Sequence, residues 1–161
     1  MKKLLLIALF YFCSTTVYSQ SIGLLDLTNL TSLKSEQVDD YFVARKVFRL
    51  QFGEEVNGFM VKHYQTNSKT SKQETVLTGG GFKAASDLIL YSVSYVTSDP
   101  QNIINLINQT KNIGLKLTLQ GADQSNNIYI YDNDLYHVVF KLKINQTAGT
   151  VDITQKQVFT Q

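Results

Sequence analysis

The sequence has very little of what most often carries chemistry: one cysteine, one proline, no tryptophan and two histidines in 161 residues. The cysteine, Cys13, follows an apolar run over residues 4–12, itself preceded by Lys2 and Lys3 and followed by Val17-Tyr18-Ser19. A basic end, a short apolar core and a small-residue junction make residues 1–19 read as a secretory signal peptide. The run is too short for a comfortable membrane span, so no integral membrane segment is expected once the signal is removed. Acylation of Cys13 is disfavoured, because Phe12 is bulky where lipoprotein signals want a small residue. From Gln20 onward there is no cysteine, hence no disulfide and no thiolate site, and the chain must be held by packing alone. Residues 20–161 are long enough to do so as one exported domain. A cysteine-free exported chain fits a bacterial periplasm or the bacterial exterior better than an animal extracellular module.

A charge imbalance is also lacking. The chain carries 15 Lys and Arg against 13 Asp and Glu, and two of those bases are Lys2 and Lys3, so the remainder is balanced at 13 each. Neutrality argues against nucleic acid or an anionic membrane as the main partner, since both select a basic surface.

Catalytic and metal motifs are missing as well. His63 and His137 have no second histidine or cysteine nearby, as a zinc site would require. No serine sits in a G-x-S-x-G elbow. Gly79-Gly80-Gly81 lacks the Gly-Lys-Ser/Thr ending of a phosphate loop and reads as a flexible connection. Asp123, Ser125 and Asn127 have the alternation of a calcium loop, but Ile128 stands where glycine belongs and Asp134 where the bidentate glutamate belongs. A polar link between strands accounts for them better, and Asp87, Asp123, Asp132 and Asp134 all suit turns. The Asn-x-Thr triplets at Asn29, Asn108 and Asn145 arise readily in a chain rich in both residues. The chain therefore reads as non-enzymatic, with no catalytic residue, metal or cofactor expected.

What is present is architecture, concentrated between residues 87 and 144. Residues 88–97 read as a strand. Ser98 or Asp99 can cap a helix over residues 100–111, with Pro100 at its first position and Ile103, Leu106, Ile107 and Thr110 as one apolar stripe. Gly114 is the expected stop. Leu115, Leu117 and Leu119 alternate with polar residues, predicting a half-buried strand. Asp132-Asn133-Asp134 predicts a turn between residues 128–131 and 135–144. A three-residue loop there sets Tyr131 opposite Leu135 and Tyr129 opposite His137. Ile128, Ile130, Tyr136, Val138, Phe140, Leu142 and Ile144 would then face the core, and Tyr129, Tyr131, His137, Lys141 and Lys143 the other side.

The preceding stretch is less sharply written. Residues 21–30 read as an edge strand or lead-in. Ser35 starts a helix with Val38, Tyr41, Phe42 and Arg45 at helical spacing. Residues 48–52 and 59–65 read as strands about a turn at 53–58, residues 66–71 as a loop, and 72–77 as a further strand. A shift of 65 residues carries Val38, Tyr41, Phe42 and Arg45 onto Ile103, Leu106, Ile107 and Thr110, and Phe48, Leu50 and Phe52 onto Ile113, Leu115 and Leu117. This suggests two αβββ-like halves. The fold class is then α+β: one antiparallel sheet, two helices on one face, the other face free. In outline the arrangement resembles small exported bacterial modules such as PepSY domains and β-lactamase-inhibitor-like repeats. Their diagnostic residues are not present, so the resemblance implies architecture and no function.

The aromatic distribution supplies the candidate site. Tyr91 and Tyr95 alternate on one strand, Tyr129 and Tyr131 on another, with His137 and two lysines beside the second pair. Tyrosine rows on an open sheet face make rigid amphipathic contact area, although sheets favour tyrosine in any case. The leading expectation is an exported binding or inhibitory module that meets a protein partner through that face. The alternatives are a small-molecule carrier or sensor with an apolar pocket near Phe42, Phe48, Ile107 and Phe140, and a hydrolase built around His63 or His137.

Overall fold

The structure is a computed structural model and describes residues 21–67, 72–84 and 88–157. The signal segment with Cys13, most of the loop expected at residues 66–71, and Asp87 lie outside the described residues.

The elements run α1 (Leu24–Leu30), α2 (Ser35–Arg45), β1 (Phe48–Val56), β2 (Phe59–Thr66), β3 (Glu74–Lys83), β4 (Ile89–Thr97), α3 (Pro100–Gln109), a 3-10 turn (Thr110–Ile113), β5 (Lys116–Ala122), β6 (Asn126–Asp132), β7 (Tyr136–Lys143) and β8 (Gly149–Gln155). The strands form one antiparallel sheet in the order β1-β2-β3-β4-β8-β7-β6-β5. The fold is thus α+β. The halves are not the αβββ units expected but have four strands each: α1 and α2 precede the meander β1–β4, α3 precedes the meander β5–β8, and the two join where β4 pairs with β8.

Local chemistry sets the helix ends. The Asp99 carboxylate accepts from the Gln101 amide at 3.1 Å, Pro100 occupies the first turn, and Gly114 ends the 3-10 extension at φ 70°. The carboxyl of Asp99 lies below its ordinary pKa, first because Lys72 donates to it, against a partial rise from burial. Residues 24–30 form a third helix rather than an edge strand. Leu24, Leu27 and Leu30 are buried while Leu25 is exposed, and the Leu24 amide is anchored by the Gln109 side chain at 2.8 Å.

Two turns differ from expectation. β1 continues to Val56, and the first hairpin closes on Asn57 and Gly58 alone, both at positive φ, which matches the twist of the paired strands. Gly79–Gly81 is no connection but the middle of β3. Gly79, at φ 83°, is the extra residue of a bulge between Leu77 and Gly80. A strand at Gly149–Gln155, unmarked in the sequence, completes the sheet. Gly149 passes so close beneath α3 that a Cβ there would meet Ile103 Cγ1 at 2.4 Å.

All three helices pack on one side of the sheet. Ile22, Leu24, Leu27, Val38, Phe42, Ile103 and Leu106 pack with Tyr64, Val76, Val93, Tyr95, Val138, Phe140, Val151 and Ile153 from the strands. Of the residues expected around an apolar pocket, Phe42, Phe48 and Phe140 are core, each at most 4 % exposed, while Ile107 is only partly buried and borders an open groove beside α3. α2 sits on β1 and β3, whereas α3 rests toward the middle of the sheet, on β4, β7 and β8. That offset leaves the helix side of β5 and β6 partly bare.

Candidate functional site

Residues directly opposite in an antiparallel pair project from the same face, so the register decides what each face carries. In the β6–β7 hairpin Asp132 pairs with His137, Tyr131 with Val138 and Tyr129 with Phe140. Val138 and Phe140 are core residues, and Tyr129 and Tyr131 therefore lie on the helix side, half-buried against the core. The longer loop moves the register by an odd number of residues from the expected pairing, which exchanges the faces of β6. Ile128 and Ile130, expected inside, are on the open face, while His137 and Lys141 remain there.

The other two tyrosines are also on the helix side. Tyr95 is fully buried. Its hydroxyl donates to the buried Glu74 carboxylate at 2.8 Å and accepts from Asn102 Nδ2 at 3.2 Å. Burial, then the Glu74 charge, pushes its pKa up, so it stays a neutral donor. Tyr91 is on the same face of β4 and borders a recess beside Leu30, Leu33 and Val38. The sheet thus brings together Tyr129 with Tyr131 on one face and separates both from His137.

No described helix or loop covers the opposite face. Across its middle, Leu77, Ser94, Asp152, Val139, Ile130 and Leu119 stand side by side on β3, β4, β8, β7, β6 and β5. The next row places Thr75, Val96, Thr150, Lys141 and Ile128 together. Phe52 lies stacked on His63 at 4.2 Å, and His63 Nε2 is 2.9 Å from Glu54. The face is an apolar band with paired charges set into it.

The charged groups are held by one another. Asp152 accepts from Ser94 Oγ at 2.7 Å and from Lys141 Nζ at 3.2 Å. A serine donating to a carboxylate already neutralised by lysine is fixed in place, not activated as a nucleophile. Asp132 accepts from Thr118 at 2.8 Å and lies 3.0 Å from His137 Nδ1, with Lys156 at 3.4 Å. Burial raises the Asp132 carboxyl, but the hydrogen bonds from His137 and Thr118, the His137 charge and Lys156 outweigh it and leave the pKa below the usual value. A depressed folded pKa contributes stability above the unfolded value that is lost as pH falls through the folded one. Asp132→Asn is therefore expected to destabilise at pH 6, with the gap to the native chain closing in acid, once the pH has fallen below the ordinary carboxylate range. Urea unfolding of both chains at the two pH values checks this, and a gap that widens in acid would contradict it.

Sequence reasoning missed Leu77, Ser94, Val96, Val139 and Asp152 as members of one surface. The alternation of each strand was visible, but which phase faces the helices was not. Among the described residues no three His, Cys, Asp or Glu side chains gather as a metal site, and no helix is long and apolar enough to cross a membrane. In comparisons with known proteins, no family model, no curated protein and no solved structure matches this chain.

Proposed function

We propose that this is an exported, non-enzymatic module, released from a leader at Ser19, that binds another protein on the open face of its sheet. The observation that carries this reading is the uncovered apolar band of that face, where Val96 is 39 % and Leu119 50 % exposed. A one-layer sheet normally buries such a face or uses it.

The size of the face favours a protein over a small ligand. Eight strands at about 4.8 Å spacing and seven to ten residues long present roughly 1,000 Å2, enough for one partner's share of a standard interface. Its charges are of both signs and largely paired, which suits the mixed surface of a protein and not a polyanion.

The test is affinity capture from the native envelope and medium, using the full chain with its own leader and a C-terminal tag. Three forms are compared: native, a Val96→Glu/Leu119→Glu variant, and Ile104→Glu on the helix side. The mass of the exported chain should begin at Gln20. A partner lost at least about tenfold with the open-face variant, but kept by Ile104→Glu, is the expected result. A partner indifferent to the open-face variant, or no partner for any form, would overturn the proposal.

A further inference from the structure

Among the described residues Glu74, at the start of β3, is the one buried acidic side chain, at 8 % exposure. Its contacts are hydroxyls. Oε2 accepts from Tyr95 at 2.8 Å and Oε1 accepts from Ser21 Oγ at 2.9 Å. No lysine, arginine or histidine pairs with it among the described residues, whereas the half-buried Asp26, Asp39, Asp99, Asp132 and Asp152 all have such a partner. A carboxylate offers about four acceptor positions, and two of these are filled here. A buried charge without a counter-ion is costly, so the deepest acid of the fold lacks what the shallower ones have.

The side chains around Glu74 supply no cation. Thr66 on β2 accepts from the Glu74 amide, Thr97 lies directly opposite on β4, and Asn102 of α3 donates to both Tyr95 and Thr97. Tyr95 is the titratable group of this set, and burial with the Glu74 charge keeps it neutral. The nearby bases are engaged elsewhere: Lys72 with Asp99, Arg45 of α2 with Asp26 of α1, and Lys62 with Asp39.

Ser21, which touches the carboxylate, is the first described residue, and the chain is fixed from there onward. Ile22 is buried, the Gly23 amide donates to Asp26 at 3.2 Å, and the Leu24 amide donates to Gln109 at 2.8 Å. The residue ahead of Ser21 is Gln20, whose nitrogen becomes an α-ammonium when the leader is cut after Ser19. Successive Cα atoms are about 3.8 Å apart and the nitrogen about 1.5 Å further, so it stands within about 5 Å of the Ser21 Cα. Ser21 reaches Glu74 through one short side chain, so the ammonium of the preceding residue has the reach to pair with it. In the uncut chain the same nitrogen is a neutral amide.

We propose that release of the leader completes the fold, the new α-ammonium of Gln20 pairing with the buried Glu74 carboxylate. The pairing rests on the reading that the chain is released at Ser19, and it makes that cut a stabilising step as well as a separating one. An amine that gains an anionic partner on folding has a raised pKa. Its stabilisation is present below the unfolded value of about 8 and is lost as pH rises through the folded value.

The test uses the exported, processed chain, whose mass gives its first residue. Glutaminyl cyclase is the probe, because it acts on a terminal glutamine alone. The α-nitrogen attacks the side-chain amide carbon, ammonia leaves, and the resulting ring carries no amino-terminal charge; mass confirms the conversion. Urea unfolding of the free-amine and cyclised chains is compared at pH 6 and pH 10, where every other group titrates alike in both. The folding constant of the free-amine chain should be about tenfold higher at pH 6 and within about twofold at pH 10. In a Glu74→Gln chain, which keeps an acceptor for Tyr95, the difference at pH 6 should fall below about twofold. The comparison at two pH values needs no substitution, so it decides the matter even where Glu74→Gln does not fold. Equal stabilities at pH 6, a difference that persists at pH 10, or one undiminished by Glu74→Gln would overturn the proposal. A first residue other than Gln20 would overturn the release at Ser19 as well, whereas a Gln20 start with equal stabilities overturns the pairing alone.

Discussion

Phe140→Ala is expected to lower the free energy of unfolding by about 3–5 kcal/mol, a large part of what a domain of this size has to lose. Phe140 is wholly buried. It lies between Tyr129 of β6 and Val151 of β8 in the sheet, and Tyr131 meets its ring edge-on at 5.5 Å. Truncation removes the apolar contact and leaves a void under α3 that neighbours on three strands cannot all collapse to fill. The comparison is Leu119→Ala, on the edge strand and half exposed, which should cost no more than about 0.5 kcal/mol. Urea unfolding of the two variants should show a lower midpoint for Phe140→Ala at unchanged slope. A loss below about 1 kcal/mol would mean that the helix–sheet interface at β7 is not the packed core described above.

Gly79→Ala should be damaging through two separable effects. At φ 83° an alanine is held in the left-handed region, at a cost of about 1–2 kcal/mol. Its Cβ would also stand 2.3 Å from the Met60 carbonyl oxygen of β2, an overlap with backbone that no side-chain rotation relieves. Either β2 and β3 separate at the bulge or the bulge is lost, and both disturb the pairing that aims Thr78 inward and Gly80 outward. A total cost above about 3 kcal/mol is expected. Gly58→Ala isolates the first effect, because Gly58 has φ 81° with nothing within 4 Å of the added carbon. If the two variants unfold at the same urea concentration, the close approach to Met60 has no energetic weight.

The bulge shows why part of the fold is hidden from sequence inspection. Three consecutive glycines announce a break in regular structure, and locally that is sound. Here the break is an inserted residue within a strand, which only the neighbouring strand can reveal. The same holds at β5, where Leu115, Leu117 and Leu119 look like one apolar face. A bulge between Leu117 and Leu119 sends Leu117 beside Tyr131 on the helix side and Leu119 beside Ile130 on the open face, while Leu115 is buried ahead of the strand. Residues 24–30 mislead for a different reason. Seven residues are too few for a helical period to be told from a strand when Leu25 adds an apolar residue on the exposed side.

By itself the sequence determined the features whose causes lie within a few residues. These are α3 with its Asp99 cap, first-turn proline and terminal glycine, and the polar turn at Asn133. Caps and turns are bonds between a side chain and its own neighbourhood, so they can be read in one dimension. Tertiary structure alone decided which phase of each strand faces the helices, and therefore which residues share a surface. That choice depends on a hairpin loop longer than its turn residues suggest, on bulges, and on where α3 settles against strands up to fifty residues away. An odd change of register reverses a face, and it did so for Tyr129 and Tyr131.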